Sequence, residues 1–405
     1  MRLKDITIFS PQYVGDNIDG DVSFVPMESL RNGTIDYKTI PFLKAKGKYT
    51  YFGNQDLLIA KVTPCFENGN IAIARNLLNG IGFGSSEIFV LRPNKEVISQ
   101  YLFYLSQSRD FQDKACATMC GVGGLKRISP LFMCTYEFDM PSIENQQRMV
   151  TYLDTKLSEI DHQVSLLTSK RDAYLRLKKS IINHAVTRGL NPNVKMKDSG
   201  IEWIGEVPEH WEVKRMKDIC ALSPNIKSCS EYEYGSYLPM EGLRLDQIET
   251  SDELVSTLQG KYTPFEDNDL LVAKVTPCFE NGNIAIAKGL TNGVGFGSSE
   301  IFVLRANKYN NIRFLFYMSL SSKFQDKACA TMCGVGGLKR ISPLFMKTYI
   351  MAIPPSTEQN AIATYLDDKC AKIDAIVSNL DKQISRYADL KRSLIDEVIT
   401  GKRAM

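Results

Sequence analysis

Two kinds of hydrophobic spacing alternate along this chain, and each occurs twice. From about 144 to 187 and again from 357 to 400 there is neither proline nor glycine. In the first of these stretches Leu153, Leu157, Ile160, Val164, Leu167, Arg171, Tyr174, Lys178, Ile181 and Ala185 recur at alternating steps of four and three. Leu366, Cys370, Ile373, Val377, Leu380, Ile384, Tyr387, Lys391, Leu394 and Val398 repeat the pattern in the second. That spacing predicts a long helix with a coiled-coil seam, and at 1.5 Å per residue ~40 residues make a rod of roughly 60 Å. Ser142, and Ser356 with Thr357, each followed closely by Glu144 or Glu358, are the expected N-caps. The remaining sequence has a different texture. Short β-prone runs at 57–60, 71–74 and 87–91 lie between turn signals at 67–69 and 79–80. A helical stretch is expected near 97–117, and again near 310–330, packed on the sheet.

These alternations come from an internal duplication at an offset of 213. Residues 56–92 and 269–305 differ at only five positions: Ile59/Val272, Arg75/Lys288, Asn76/Gly289, Leu78/Thr291 and Ile81/Val294. FQDKACATMCGVGGLKRISPLFM occurs unchanged at 111–133 and 324–346. Because no gap is needed, the chain divides into 1–142 as a first α/β domain, 143–190 as a long helix, 191–213 as a linker, 214–355 as a second α/β domain and 356–402 as a second long helix. Two helices of matched length and register favour packing on each other, and a short linker makes the antiparallel arrangement economical. The fold class is therefore α+β, with two pseudo-two-fold-related α/β domains separated by two long antiparallel coiled-coil helices. The copies diverge mainly at 12–23 against 225–236 and at 30–45 against 243–258.

Composition narrows the possibilities. The 405 residues are 44% hydrophobic and 23% charged, ordinary for a globular protein, with 49 Lys and Arg against 46 Asp and Glu. A net charge of +3 gives no basic tail. The opening MRLKDI lacks an apolar leader and no window nears the ~18 apolar residues of a membrane span, so a soluble, cytoplasmic chain is expected. Its ten cysteines are accordingly read as reduced thiols.

No phosphate-binding P-loop, zinc-protease or nucleophile-elbow motif is present. His162 aligns with Ala375, His184 with Glu397, and His210 falls in the linker, so no histidine is duplicated and a histidine-based catalytic site repeated in both copies is excluded. Cys65, Cys116 and Cys120 recur as Cys278, Cys329 and Cys333, but structural zinc prefers four ligands with a tighter hook. Small packed thiols are favoured over a metal site or a cysteine nucleophile.

Two repeated blocks carry recognition chemistry. Lys61, Thr63, Glu67, Asn68 and Asn70, repeated as Lys274, Thr276, Glu280, Asn281 and Asn283, lie in KVTPCFENGN between two strand-like runs. Asn suits an adenine edge and Lys a guanine or a phosphate; the alternative is a hydrogen-bonded hairpin turn. In GVGGLKR, Lys126 and Arg127, with Lys339 and Arg340, follow flexible backbone amides that can approach phosphate, the alternative being a plain glycine turn. A basic run at Lys170, Arg171, Arg176, Lys178 and Lys179 is either a contact face or a solvated one.

Taken with KVTPCFENGN, GFGSSEIFVLR, the IPPSTEQN segment at 353–360 and WIGEVPEHWEVK in the linker, this domain order resembles the specificity subunit of type I restriction-modification systems, over essentially the whole chain. The resemblance implies a non-catalytic protein whose two target-recognition domains each read half of a bipartite site in double-stranded DNA. Its paired helices would dock methyltransferase and restriction subunits. It would hold no cofactor itself: S-adenosylmethionine, ATP and Mg would belong to those partners. Family members commonly carry two different recognition domains. Here they are nearly superimposable, which implies two similar, inverted half-sites. The alternative is a coiled-coil scaffold for protein partners without base readout, and the small net charge is the feature that favours it.

Overall fold

A computed structural model describes residues 1–121, 124–224, 226, 231–334 and 338–403. Val122, Gly123 and 335–337 of the two glycine-rich loops, and Asn225 with 227–230 of one divergent stretch, lie outside the described residues.

The class is α+β. The chain forms two compact units, Met1–Thr168 with Asp381–Met405, and Ser169–Leu380. Each unit therefore combines one α/β domain with part of each long helix.

In the first unit a four-stranded antiparallel sheet runs in the order Thr7–Phe9, Ile88–Pro93, Leu57–Ala60, Ile71–Ile73. Leu57–Ala60 is buried along its whole length, which explains its unbroken apolar sequence. A second sheet runs Lys38–Pro41, Asp21–Val25, Ile81–Gly84, Thr50–Gly53, with its two central strands parallel. Asp56 joins the two sheets, accepting from the Gly53 amide at 2.7 Å and from Arg92 Nε and Nη2 at 2.8 and 2.7 Å. The second unit repeats this plan. Its sheets run Cys220–Leu222, Ile301–Ala306, Leu270–Ala273, Ile284–Ile286, and Ser251–Leu254, Tyr234–Leu238, Val294–Gly297, Thr263–Glu266.

The helix expected near 97–117 is two helices, Ser99–Gln107 and Arg109–Ala117. Ser108 ends the first and caps the second, its Oγ accepting from the Phe111 amide at 3.4 Å; in the other copy Leu320 ends Ile312–Ser319 and Ser321 caps Ser322–Ala330, accepting from the Phe324 amide at 3.4 Å. A capping hydroxyl competes with the helical ladder, so it breaks the run despite the favourable residues on either side.

The long helices span Ile143–Arg188 and Ser356–Ile399. Ser142 caps the first, Oγ accepting from the Asn145 amide at 3.3 Å. The second differs, because it already begins at Ser356 and Pro355 takes the cap position, its carbonyl accepting from the Glu358 and Gln359 amides. In the first unit Asp161 pairs with Lys391 at 2.6 Å and Tyr152 lies under Arg403. In the second, Lys178 pairs with Asp374 at 2.6 Å, while Gly189 abuts Glu358. As numbers fall along one helix they rise along the other, so the helices run antiparallel within each unit. Leu153, Leu157 and Ile160 share a core with Leu394, Ile395 and Val398, and Ile182, Ala185 and Val186 share another with Ile362, Leu366 and Cys370.

A buried glutamine fixes each helix to its α/β domain. Gln146 Oε1 accepts from the Ile98 amide at 3.0 Å while its Nε2 donates to the Glu96 and Pro141 carbonyls; Gln359 does the equivalent with Asn311 and Pro354. The linker is not a loose tether. Glu206–Pro208 pairs with Met196–Asp198, Glu212–Arg215 pairs with Ile350–Ile353, and Trp211 is fully buried in the second unit's core beside Val207. No described helix is long and apolar enough to cross a membrane.

Candidate nucleic-acid interface

In each unit the two repeated blocks form one structural piece. The strand Leu57–Ala60 delivers the chain into the 61–70 turn, and Arg127 bridges to both Val62 and Cys120. Thr63 fastens them together. Its amide donates to the Lys126 carbonyl at 3.0 Å, while its hydroxyl accepts from the Lys126 amide at 3.0 Å and donates to the Gly124 carbonyl at 3.1 Å. Thr276 and Lys339 repeat the exchange at 3.0 Å in each direction. Gly121 has φ +156°, and a Cβ there would lie 2.2 Å from the Leu125 carbonyl oxygen, so this crossing requires glycine.

The turn is itself hydrogen-bonded: the Asn68 amide reaches the Pro64 carbonyl at 2.9 Å and the Asn70 amide reaches Cys65 at 3.0 Å. This rigidity leaves the expected contact residues in unequal positions. Glu67, Asn68 and Lys126 are exposed, as are Glu280, Asn281 and Lys339. Thr63, Asn70, Thr276 and Asn283 are buried, which suits them to holding the surface rather than to reaching a base edge. Lys61 Nζ donates to the Ser86 carbonyl at 2.6 Å and lies 4.7 Å above the Phe89 ring. Burial draws its pKa below the ordinary lysine value, as it does for Lys274 over Phe302.

Arg127 is exposed but committed: Nε and Nη2 each meet Glu87 at 3.0 Å. Arg340 and Glu300 form the same pair. Hydrogen bonds from the guanidinium hold the Glu87 carboxyl below the usual carboxylate range. Sequence reasoning missed both acids; their one available signal is the invariant SSEIF in each copy. Lys126 and Lys339 make no side-chain hydrogen bond or ion pair among the described residues. Within the two repeated blocks, they are thus the cations left available for a phosphate.

The hairpin tip beside this turn falls in the divergent stretch 30–45 and its counterpart 243–258. In the first unit the Gly33 amide donates to the Ile71 carbonyl at 2.8 Å; in the second the Asp246 amide donates to Ile284 at 2.8 Å. Each tip is thereby held next to the Asn at the end of its turn.

Among the described cysteines, Cys116 and Cys329 are not activated. Burial, with Glu67 and Asp113 nearby, pushes the Cys116 thiol up, and burial with Glu280 and Asp326 does the same to Cys329. Thiolates are thus disfavoured there. No three His, Cys, Asp or Glu among the described residues are placed to hold a metal. In the basic run on the first long helix, Lys178 is taken by Asp374, and Arg171 bonds Asp172 at 2.9 Å.

The family model for the type I restriction modification DNA specificity domain matches residues 8–166 and 208–386. The EcoEI specificity subunit of Escherichia coli is 28% identical over 198 residues, 48% of this chain and 33% of its own length. The chain therefore matches about a third of that relative. The MjaVIII specificity subunit of Methanocaldococcus jannaschii is 21% identical across 96% of this chain and 88% of its own. Among solved structures, a chain from a study of complex assembly and conformational transition in a type I R-M system superposes with TM-score 0.76 at 15% identity, covering 100% of this chain and 97% of that one. At that identity the likeness establishes the fold.

Proposed function

Since the chain belongs to the type I restriction-modification DNA specificity domain family, we propose that it is the DNA sequence-specificity subunit of such a system and carries no catalytic group of its own. It reads a bipartite target in double-stranded DNA, with two closely similar half-sites in inverted orientation, and docks methyltransferase and restriction subunits. S-adenosylmethionine, ATP and Mg are held by those partners, in the cytoplasm.

One observation carries this reading. The same polar surface, built with the same hydrogen bonds, occurs once in each unit, so one set of contacts is offered twice. Glu67, Asn68 and Lys126 in one copy, and Glu280, Asn281 and Lys339 in the other, are the proposed contact residues. Lys61, Thr63, Asn70 and Arg127 support the first set, and Lys274, Thr276, Asn283 and Arg340 the second. The opposite chain directions of the two long helices support the inverted order of the half-sites.

The test is the methylation motif of a host carrying this chain with its methyltransferase partner. Two related half-sites in inverted order are expected, and two unrelated half-sites overturn the reading. A protein scaffold without base readout would leave the reconstituted complex with no sequence-specific DNA binding that weakens steeply as salt is added.

A further inference from the structure

The turn is identical in the two units, but what rests against it is not. In the first unit Asn32, at the tip of the hairpin closed by the Leu30 and Ile35 bridge, lies beside Gly69. A Cβ on Gly69 would be 3.3 Å from Asn32 Nδ2. Asn32 Oδ1 accepts from Gln107 Nε2 at 2.6 Å, so the amide pair forms one polar edge along the turn. In the second unit the corresponding residues are Leu245 and Leu320. Leu320 Cδ2 lies 3.9 Å from the equivalent Cβ position on Gly282, and Leu245 is 43% exposed.

Asn32 and Gln107, 75 positions apart, are thus both polar where their counterparts Leu245 and Leu320 are apolar, in stretches where neighbouring positions also differ between the copies. Packing does not require the change at the tip, because Asn32 and Leu245 are both exposed, whereas Leu320 is partly buried against the second unit's core. The second tip is separately secured: Asp246, where the first copy has Gly33, pairs with Arg313 Nη1 and Nη2 at 2.5 and 2.7 Å. Leu245 is thus an exposed leucine on a secured tip, free to make an apolar contact.

We propose that these pairs distinguish two otherwise similar half-sites. Asn32 with Gln107 presents amides able to bond the N6 and N7 edge of an adenine. Leu245 with Leu320 presents methyl groups to the C5-methyl of a thymine. The half-sites then differ at the base pair facing the hairpin tip and agree elsewhere. This rests on the function proposed above.

The experiment determines the methylation motif of the assembled complex for the wild-type chain, for N32L/Q107L and for L245N/L320Q. In the wild type, two half-sites differing at one base pair are expected. N32L/Q107L converts the first half-site to the sequence of the second, and L245N/L320Q does the reverse. Asn32→Ala and Leu245→Ala, which burden the fold least, are expected to relax discrimination at that base pair in the matching half-site by about tenfold. A motif unchanged in all four variants overturns the proposal. So does loss of methylation in variants that assemble and melt as the wild type does. A wild-type complex without any bipartite motif instead overturns the functional reading beneath it.

Discussion

Gly82 stands where the ring of Phe52 needs room: a Cβ there would fall 2.1 Å from Phe52 Cε2, and at Gly295 2.4 Å from the Phe265 ring. The repeated GFG phrase is therefore a packing requirement of the second sheet. Gly82→Ala is expected to destabilise the first unit by about 2 kcal/mol through overpacking, measured as a lowered thermal midpoint. The cysteines differ in the same local way. Cys120 and Cys333 are exposed, whereas Cys220 is buried and its thiol is pushed up to about 12 by that burial. A thiol reagent at neutral pH should label Cys120 and Cys333 first, C120S/C333S should lose that phase, and Cys220 should react only on unfolding. At this scale the sequence identified residue types but not their engagement. Thr63 and Asn70 read as contact residues until burial is known, and the Arg127 to Glu87 pair joins positions 40 apart.

Periodicity made the helices legible, because a seam repeated over ~40 residues leaves little ambiguity. Its ends are packed with apolar side chains, while Arg171, Tyr174 and Lys178 in the middle remain half-buried. What periodicity could not reveal was attachment. Gln146 and Gln359 look like solvent-facing helix residues, yet each satisfies backbone groups of a neighbouring segment, a tertiary fact. The linker, too, is attached through contacts that its sequence does not display. Trp211 is a core residue, its Nε1 donating to Glu358 at 3.2 Å. Trp211→Ala should cost the second unit about 3 to 5 kcal/mol, seen as a lower denaturant midpoint, and should leave the melting of the first unit nearly unchanged.

Across the whole molecule the net charge of +3 conceals unequal halves. Lys38, Lys44 and Lys46 in the first copy correspond to Ser251, Thr257 and Gln259 in the second. The cations common to the two proposed contact surfaces are fewer, Lys126 and Lys339 foremost. Replacing both with alanine is expected to weaken binding of the reconstituted complex to all target sequences alike. The slope of log affinity against log salt should fall by about 1 for each lysine removed, as titrations at several salt concentrations would report. An altered sequence preference with an unchanged slope would instead assign these lysines to base contacts.

The division into units also fixes an order in time. The second unit is one continuous stretch, Ser169–Leu380, whereas the first needs Asp381–Met405 to complete it. A chain emerging from the ribosome can therefore finish its second unit while Leu153, Leu157 and Ile160 still await Leu394, Ile395 and Val398. The half that is made first is the last to close, and until then its apolar helix face is what a chaperone would meet.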